Sequence, residues 1–203
     1  MLRVLLTSFE PFGGLALNSS HETAREVVRR PIPGVELTWR MLPVVMGACV
    51  EQVRAAAKEV RPDLLLCLGQ AAGAAAIRLE DRGVNLHDFP IPDNAGNQPK
   101  KEPILPNGPA MHRTSIPLTP LADALRREGL AVEVSLSAGT YVCNHLYYHL
   151  LHHRLPALFV HLPLLPGQVP PKAKSPWLPL EALVAGVRQI LVAWHAIFAD
   201  RVQ

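Results

Sequence analysis

Short apolar runs alternate with amphipathic stretches along most of the chain. Runs with the length and composition of buried strands predict β-strands over residues 2–9, 35–44, 63–69, 77–86, 132–136 and 157–160. Apolar positions at helical spacing predict α-helices over residues 19–30, 46–60, 121–127 and 180–199, and a further helix that begins near Cys143. This alternation predicts a single domain over residues 1–203 with an α/β fold, a three-layer α/β/α sandwich around a mainly parallel, twisted sheet.

Polar and turn-forming residues mark the ends of these elements. Ser19 or Ser20 is a candidate N-cap for the first helix, and the proline-rich cluster of residues 31–34 ends that helix. Residues 89–108 are rich in Pro, Asn and Gly and predict a long loop. A loop of this length in a compact domain is usually functional or mobile.

Composition narrows the class of protein. With 49% hydrophobic residues and a mean hydropathy of +0.15, the 203-residue chain is not intrinsically disordered. The net charge of +3 is small and the basic residues are scattered, so no nucleic-acid partner is expected. Three widely spaced cysteines argue against a disulfide framework and for a reducing compartment, so we expect a cytoplasmic protein.

The apolar segments do not predict a membrane partner. Residues 1–6 are too short an apolar run for a signal peptide and are predicted to belong to a buried strand. The most apolar late segment, residues 183–198, contains Arg188, Gln189 and His195. It therefore predicts a packed helix and not a membrane span.

Candidate chemistry lies around Cys143. The strand of residues 132–136 is followed by small residues and then by the start of a helix, which places the thiol in or just before the first helical turn. Free N–H groups and the positive end of the helix dipole favour thiolate over thiol at such a position. Cys49 and Cys67, by contrast, lie within apolar patterns typical of inert core cysteines.

A histidine follows the next predicted strand. Residues 157–160 end at His161, so the order strand, helix, strand predicts a right-handed crossover between two neighbouring parallel strands. Parallel strands end at the same edge of a sheet, so Cys143 and His161 are expected to meet there as a nucleophile and its base. The alternative interpretation of Cys143 is an inert buried thiol, and that of His161 is a hydrogen-bonded core histidine.

A thiol and imidazole pair usually needs a third group that orients the imidazole. Acidic candidates near strand or loop ends are Glu10, Glu80, Asp81, Asp88 and Asp93. The alternation in residues 77–86 places Glu80 on one strand face with Arg78 and Arg82. A solvated ion pair is therefore as good an interpretation of Glu80 as a catalytic one.

Five segments carry a resemblance to a known family. They read TSFEPFGG at residues 7–14 (followed by Asn18), GQA at 69–71, IPDNAGNQP at 91–99, SAGTYVCN at 137–144 and VHLP at 160–163. In order and spacing the chain resembles the pyroglutamyl peptidases, intracellular cysteine peptidases that remove an N-terminal pyroglutamyl residue from peptides through a thioester acyl-enzyme.

The resemblance implies a role for particular residues. Cys143 would be the nucleophile, His161 the base and Glu80 the group that orients it. The substrate-binding residues would be Phe9, Phe12 and Tyr141, which line a pocket for the lactam ring, with Gln70 and Val142 offering backbone groups. The resemblance implies no cofactor and no metal, N-terminally pyroglutamylated peptides as partners, and a homo-oligomer, either a tetramer or a dimer.

One position departs from the family pattern. Where the family usually has Arg after Gly-Gly, this chain has Ala74 after Gly73. An arginine there would place a positive charge near the edge of the site. We therefore predict reduced activity, unless Arg78 or Arg82 supplies the charge.

Three alternatives to the interpretation as a pyroglutamyl peptidase stay open. His145, His149, His152 and His153 have helical spacing and could bind zinc or nickel, although Leu146 stands where a metalloprotease motif needs Glu. A related α/β enzyme of nucleoside-phosphorylase-like architecture would not need Cys143. A weakly active or non-catalytic binding homologue would follow from the loss of the arginine.

Overall fold

The computed structural model describes residues 1–170 and 172–201, and side chains only as far as residue 197. The strands in this part of the chain are β1 (Leu2–Phe9), β2 (Val35–Leu42), β3 (Leu64–Gln70), β4 (Ile77–Glu80), β5 (Arg82–Val84), β6 (Met111–Arg113), β7 (Val132–Ser135) and β8 (Ala157–Leu162). The helices are α1 (Ser19–Val27), α2 (Ala48–Val60), α3 (Leu118–Arg127), α4 (Val142–His152) and α5 (Leu180–Arg201), with a short 3-10 helix at Pro166–Gln168.

The strands form a central sheet with the order β2-β1-β3-β8-β4-β7, and β5 pairs with β6 in a separate ribbon. Every neighbouring pair in the central sheet is parallel except β4 with β8. One face of the sheet packs on α1, α3 and α5, and the other on α2 and α4. The predicted three-layer α/β/α sandwich with a mainly parallel sheet is therefore confirmed.

The predicted direct, parallel pairing of the strands on either side of α4 is wrong. β4 lies between β7 and β8, parallel to the first and antiparallel to the second. The turn after β7 runs back beside the β5 segment, where the Ala138 N–H donates to the Arg82 carbonyl and the Asp88 N–H to the Thr140 carbonyl. The chain has thus reversed before α4 begins, so the crossover rule for parallel strands does not apply.

Two local predictions also need correction. Residues 77–86 are not one strand, because the chain breaks at Asp81 between β4 and β5. The carboxylate of Asp81 there accepts hydrogen bonds from Arg82 and Arg113. The N-cap of α1 is neither Ser19 nor Ser20 but Asn18, whose Oδ1 accepts the Ser20 N–H at 3.0 Å.

Helix α5 is apolar enough to raise the question of a membrane span. By length and composition its segment Leu180–Ile197, with a mean hydropathy of 1.3, could cross a membrane. Its buried residues pack against the sheet with α1 and α3. They are Leu183, Val187, Ile190, Leu191 and Trp194. Helix α5 therefore packs against the sheet, as the sequence predicts.

Candidate active site

The thiol of Cys143 and the imidazole of His161 lie at the same edge of the sheet. In the β3–β8 pairing Gly69 is the partner of His161. A Cβ placed on Gly69 would lie 3.0 Å from Cys143 Sγ and 2.7 Å from the Phe159 ring, so the thiol sits directly over the glycine. The structure therefore brings the two residues together as predicted, although through a different sheet topology.

Glu80 contacts His161 because β4 is antiparallel to β8. Glu80 is the partner of Phe159 in that pairing, and His161 stands two residues further on the same strand face. Glu80 Oε1 lies 2.8 Å from His161 Nδ1. Since a carboxylate only accepts hydrogen bonds, Nδ1 carries the proton and Nε2 is left able to accept one.

The carboxylate of Glu80 is buried beside His161. Glu80 is 1% exposed, so its interpretation as part of a solvated strand face is wrong. Its Oε2 atom is buried and, among the described residues, has no hydrogen-bond partner. The imidazole is therefore the polar partner that offsets the burial of this carboxylate.

The surroundings of Cys143 favour the neutral thiol over the thiolate. Burial raises its pKa well above the usual range, and the nearby Cys49 and Glu80 raise it further. Burial therefore opposes the stabilisation of a thiolate that the sequence predicts for the start of α4. A raised pKa means that a sulfur nucleophile at this position would have to pass its proton to a base as it attacks.

The thiol and the imidazole open onto a small cavity of about 100 Å³, room for a few water molecules or one small ring. Its lining residues are Phe9, Phe12, Asn18, Val44, Gln70, Ala138, Gly139, Thr140, Tyr141, Val142, Cys143 and His161. All five residues predicted to bind substrate are among them. Sequence reasoning gave no role to Asn18 or Thr140, although both lie in or beside the family motifs, and nothing in the sequence indicated Val44.

Aromatic rings form the walls of this cavity. The ring centroids of Phe12 and Tyr141 are 5.9 Å apart, and those of Phe89 and Tyr141 are 4.7 Å apart in an edge-on contact. The Tyr141 hydroxyl donates to the Pro92 carbonyl at 2.9 Å, which ties the ring to the 89–108 loop. These contacts give a flat, mainly apolar slot.

The 89–108 loop is held at this place by Asp93. Its carboxylate accepts hydrogen bonds from the Asn97 side chain and from the backbone N–H groups of Met46 and Ala95. Burial would raise the pKa of Asp93, but these hydrogen bonds outweigh it and lower the pKa below the usual value. Asp93 is thus a structural anchor of the slot.

The other acidic candidates also have partners away from the imidazole. Glu10 Oε1 accepts the Val44 N–H at 3.1 Å, and Asp81 pairs with two arginines. Asp88 contributes backbone groups that bond to Thr140. Of the five acidic candidates, Glu80 is the one that the described contacts place on His161.

The two arginines that could supply the charge of the missing arginine are both paired with carboxylates. Arg78 pairs with Glu133, and Arg82 pairs with Asp81. Neither lines the cavity, although Arg78 is the direct partner of His161 in the β4–β8 pairing, so the replacement of the charge by either residue stays a prediction. Ala74 itself is fully buried.

Two histidines of α4, His145 and His152, contact histidines elsewhere in the chain, and His145 also contacts the backbone. His145 Nε2 accepts the Gly47 N–H at 3.1 Å, and its Nδ1 lies 2.8 Å from His87 Nε2. His152 Nδ1 lies 3.1 Å from His112 Nε2. Within the part of the chain that the structure describes, no group of three or more His, Cys, Asp or Glu side chains is arranged to hold a metal ion.

Comparison with known proteins places the chain in a family. A family model described as pyroglutamyl peptidase matches residues 2–197. The chain is 41% identical over 196 residues to a pyrrolidone-carboxylate peptidase of Vibrio vulnificus, covering 95% of this chain and 92% of the relative. It is 42% identical over 199 residues to one from Streptomyces coelicolor, with the same coverage.

Solved structures give the same answer. The pyrrolidone carboxyl peptidase of Thermococcus litoralis superposes with a TM-score of 0.92 at 31% identity, covering 100% of this chain and 97% of the other. The enzyme of Fervidobacterium islandicum superposes with a TM-score of 0.90 at 39% identity, covering 94% and 97%. The chain that places Cys143, His161 and Glu80 around this slot belongs to the pyroglutamyl peptidase family.

Proposed function

We propose that Cys143, His161 and Glu80 carry out the reaction of this cysteine peptidase, which removes the N-terminal pyroglutamyl residue from peptides. The observation that carries the proposal is a thiol and a carboxylate-bound imidazole at one cavity of about 100 Å³. Nucleophile, base and orienting group are the three parts that thiol acyl transfer needs. The relatives are named for the same substrate group.

The proposed reaction begins with proton transfer from Cys143 Sγ to His161 Nε2. At the same time the sulfur attacks the carbonyl carbon of the scissile amide bond, which lies outside the lactam ring. The first turn of α4 has no side-chain cap, so its backbone N–H groups would be the donors for the oxyanion that forms. The protonated imidazole then donates its proton to the departing amine, which leaves a thioester on Cys143. Water, deprotonated by His161, attacks the thioester and releases pyroglutamate.

Glu80 acts through His161. Its Oε1 holds the Nδ1–H tautomer, so Nε2 can accept the thiol proton at the start of each acyl transfer. The buried carboxylate also stabilises the imidazolium that forms when the sulfur attacks.

The slot suits a lactam because it is small and mainly apolar. A pyroglutamyl residue has no charged amine, whereas an ordinary N-terminal residue would have to bury one without a partner. Phe9, Phe12 and Tyr141 would contact the faces of the ring. Backbone groups of Gln70 and Val142 would pair with its N–H and C=O, so an analogue that lacks either group would leave a partner unpaired.

Hydrolysis of a fluorogenic pyroglutamyl amide tests the proposal. We expect the wild type to release the fluorophore and the Cys143→Ser variant to release it at least a thousandfold more slowly. Cys49→Ala serves as the matched control, because Cys49 is a buried thiol outside the cavity lining and its loss should leave the rate within about threefold. A silent wild type would favour the non-catalytic binding homologue. A serine variant as fast as the wild type would favour an enzyme that does not use this thiol.

We also propose that the enzyme acts in the cytoplasm as a homo-oligomer, a dimer or a tetramer. All three cysteines are free thiols, which suits a reducing compartment. Strand β7 is an edge of the sheet and leaves Val134 and Leu136 exposed, a surface on which a second copy could pair. Sedimentation of the wild type and of Val134→Lys tests this surface: the variant should dissociate, and unchanged sedimentation would reject the surface.

A further inference from the structure

The side chain of Gln70, a residue that lines the cavity, is held in one orientation. Its Oε1 accepts the Ser19 N–H at 2.9 Å and lies 2.6 Å from Gln168 Nε2. A backbone N–H can only donate, so the atom that faces Ser19 must be the carbonyl oxygen of the amide. The two donors therefore fix which way this amide points.

Gln168 uses its whole amide to join three segments. Its Nε2 donates to Gln70 Oε1 and to the Leu17 carbonyl at 3.0 Å, and its Oε1 accepts the Leu165 N–H at 2.9 Å. Each partner accepts or donates in a way that no flipped amide could satisfy. The orientation of Gln168 is thus fixed as firmly as that of Gln70.

The three segments each carry part of the candidate site. Gln70 ends β3 and lines the cavity, and Leu17 immediately precedes Asn18, which also lines it. Leu165 belongs to the segment that follows β8, the strand that carries His161. Gln168 itself does not line the cavity, so it has no route to the reacting atoms except through these neighbours.

We infer that Gln168 is a positioning residue that holds Gln70 and the Leu17–Asn18 segment where the lactam ring binds. The inference rests on the proposed function, since it takes this cavity to be the pyroglutamyl pocket. Loss of the Gln168 amide removes one of the two restraints on the Gln70 side chain and releases the loop at Leu17. The thiol and the imidazole keep their own contacts, so ring binding weakens and the chemical step does not.

Steady-state kinetics of Gln168→Met tests the inference, because methionine keeps the length of the side chain and removes both ends of the amide. We expect KM for the pyroglutamyl amide to rise about three- to tenfold, the range for one or two lost hydrogen bonds, with kcat within about twofold. Gln52→Met, at an exposed position on α2, is the matched control and should change neither constant.

A double-mutant cycle separates positioning from a general loss of structure. If Gln168 acts through Gln70, then Gln168→Met should raise KM far less in a Gln70→Met background than in the wild type. Gln70→Glu keeps an oxygen acceptor for both donors, so it should preserve sensitivity to Gln168→Met. Equal effects of Gln168→Met in the wild-type and Gln70→Met backgrounds, or a fall in kcat with KM unchanged, would overturn the inference.

A binding measurement distinguishes failure of this inference from failure of the proposed function. Calorimetry with 2-pyrrolidone, the bare lactam ring, needs no turnover and can use a Cys143→Ala background. We expect Gln168→Met to weaken binding there by the same three- to tenfold factor. Binding that is unchanged in Gln168→Met overturns the inference alone, whereas no binding to the parent protein overturns both.

Discussion

Two histidines, His161 on β8 and His145 on α4, are almost equally buried, at 8% and 7% exposed, yet their surroundings differ in kind. His161 Nδ1 binds the Glu80 carboxylate, and Nε2 has no hydrogen bond among the described residues. Both nitrogens of His145 are bonded, one to a backbone N–H and one to His87. A buried histidine becomes a base through an acidic partner on one side and a free nitrogen on the other, not through burial or the company of other histidines.

The largest expected effect comes from removing the proposed base, His161. His161→Gln should lower kcat/KM by about four orders of magnitude, because no other described group near Cys143 is placed to take the thiol proton. His145→Gln, which can still accept from Gly47 and donate to His87, should stay within about threefold of the wild type. Comparable losses in the two variants, measured with the fluorogenic amide, would erase the distinction between the histidines.

Glu80→Gln should come next, with a fall in kcat of about a hundred- to ten-thousandfold. The amide can donate to Nδ1 and so stabilise the tautomer that leaves Nε2 protonated and unable to accept. The cavity is unchanged, so KM should move by less than about threefold. A KM effect larger than the kcat effect would show that Glu80 shapes the pocket and does not orient the base.

We expect His145 to affect the pH dependence of the protein's stability and not the rate of hydrolysis. Burial, aided by repulsion from His149 and His87, lowers the pKa of His145 from 6.5 to about 3. The unfolded chain therefore binds a proton at this residue between those two values while the folded chain does not. The contribution of His145 to the free energy of unfolding is therefore fully present above about pH 6.5 and is lost as the pH falls toward about 3.

Thermal melts between pH 7 and pH 4 measure this loss. Tm of the wild type should fall more steeply over that range than Tm of His145→Gln, which has no proton to gain. Parallel curves for the two proteins would mean that His145 titrates in the folded state as it does in the unfolded chain.

The smallest expected effect concerns the missing arginine. Ala74→Arg should raise kcat/KM about two- to fivefold, the amount that one partly screened positive charge supplies. Because Ala74 is fully buried, the longer side chain must displace the loop and should also lower Tm. Ala72→Arg places the same charge at an exposed position of the same loop and is the control. Equal rates for the wild type and Ala74→Arg would show that the missing charge does not matter.

The sequence was sufficient for most of the fold because the buried strands are continuous apolar runs. β1, β3 and the core of α2 lie within one or two residues of their predicted bounds. The sequence did not reveal that β7 runs antiparallel to β8, because that direction depends on the contacts of the turn after Ser135 with the β5 segment. Strand β6 was missed because it has only three residues, too few for an alternating pattern to be recognised in the sequence.

The candidate site was predicted in part from residue types and in part from resemblance. The strand end and helix start around Cys143 indicated the proposed nucleophile, and the proposed base, His161, followed from the next strand. Glu80 could not be separated from four other acids by pattern, because its contact with His161 comes from an antiparallel pairing that the predicted topology lacked. Gln168 lies outside every motif, and only the folded chain brings it to Gln70.

Trapping of the acyl-enzyme tests the central claim most directly. The wild type is mixed with a pyroglutamyl ester, quenched in acid during turnover, digested and mapped by mass spectrometry. We expect one pyroglutamyl group, attached to Cys143 and released by hydroxylamine as a thioester. A label on any other residue, or turnover that proceeds with no label on Cys143, would contradict it.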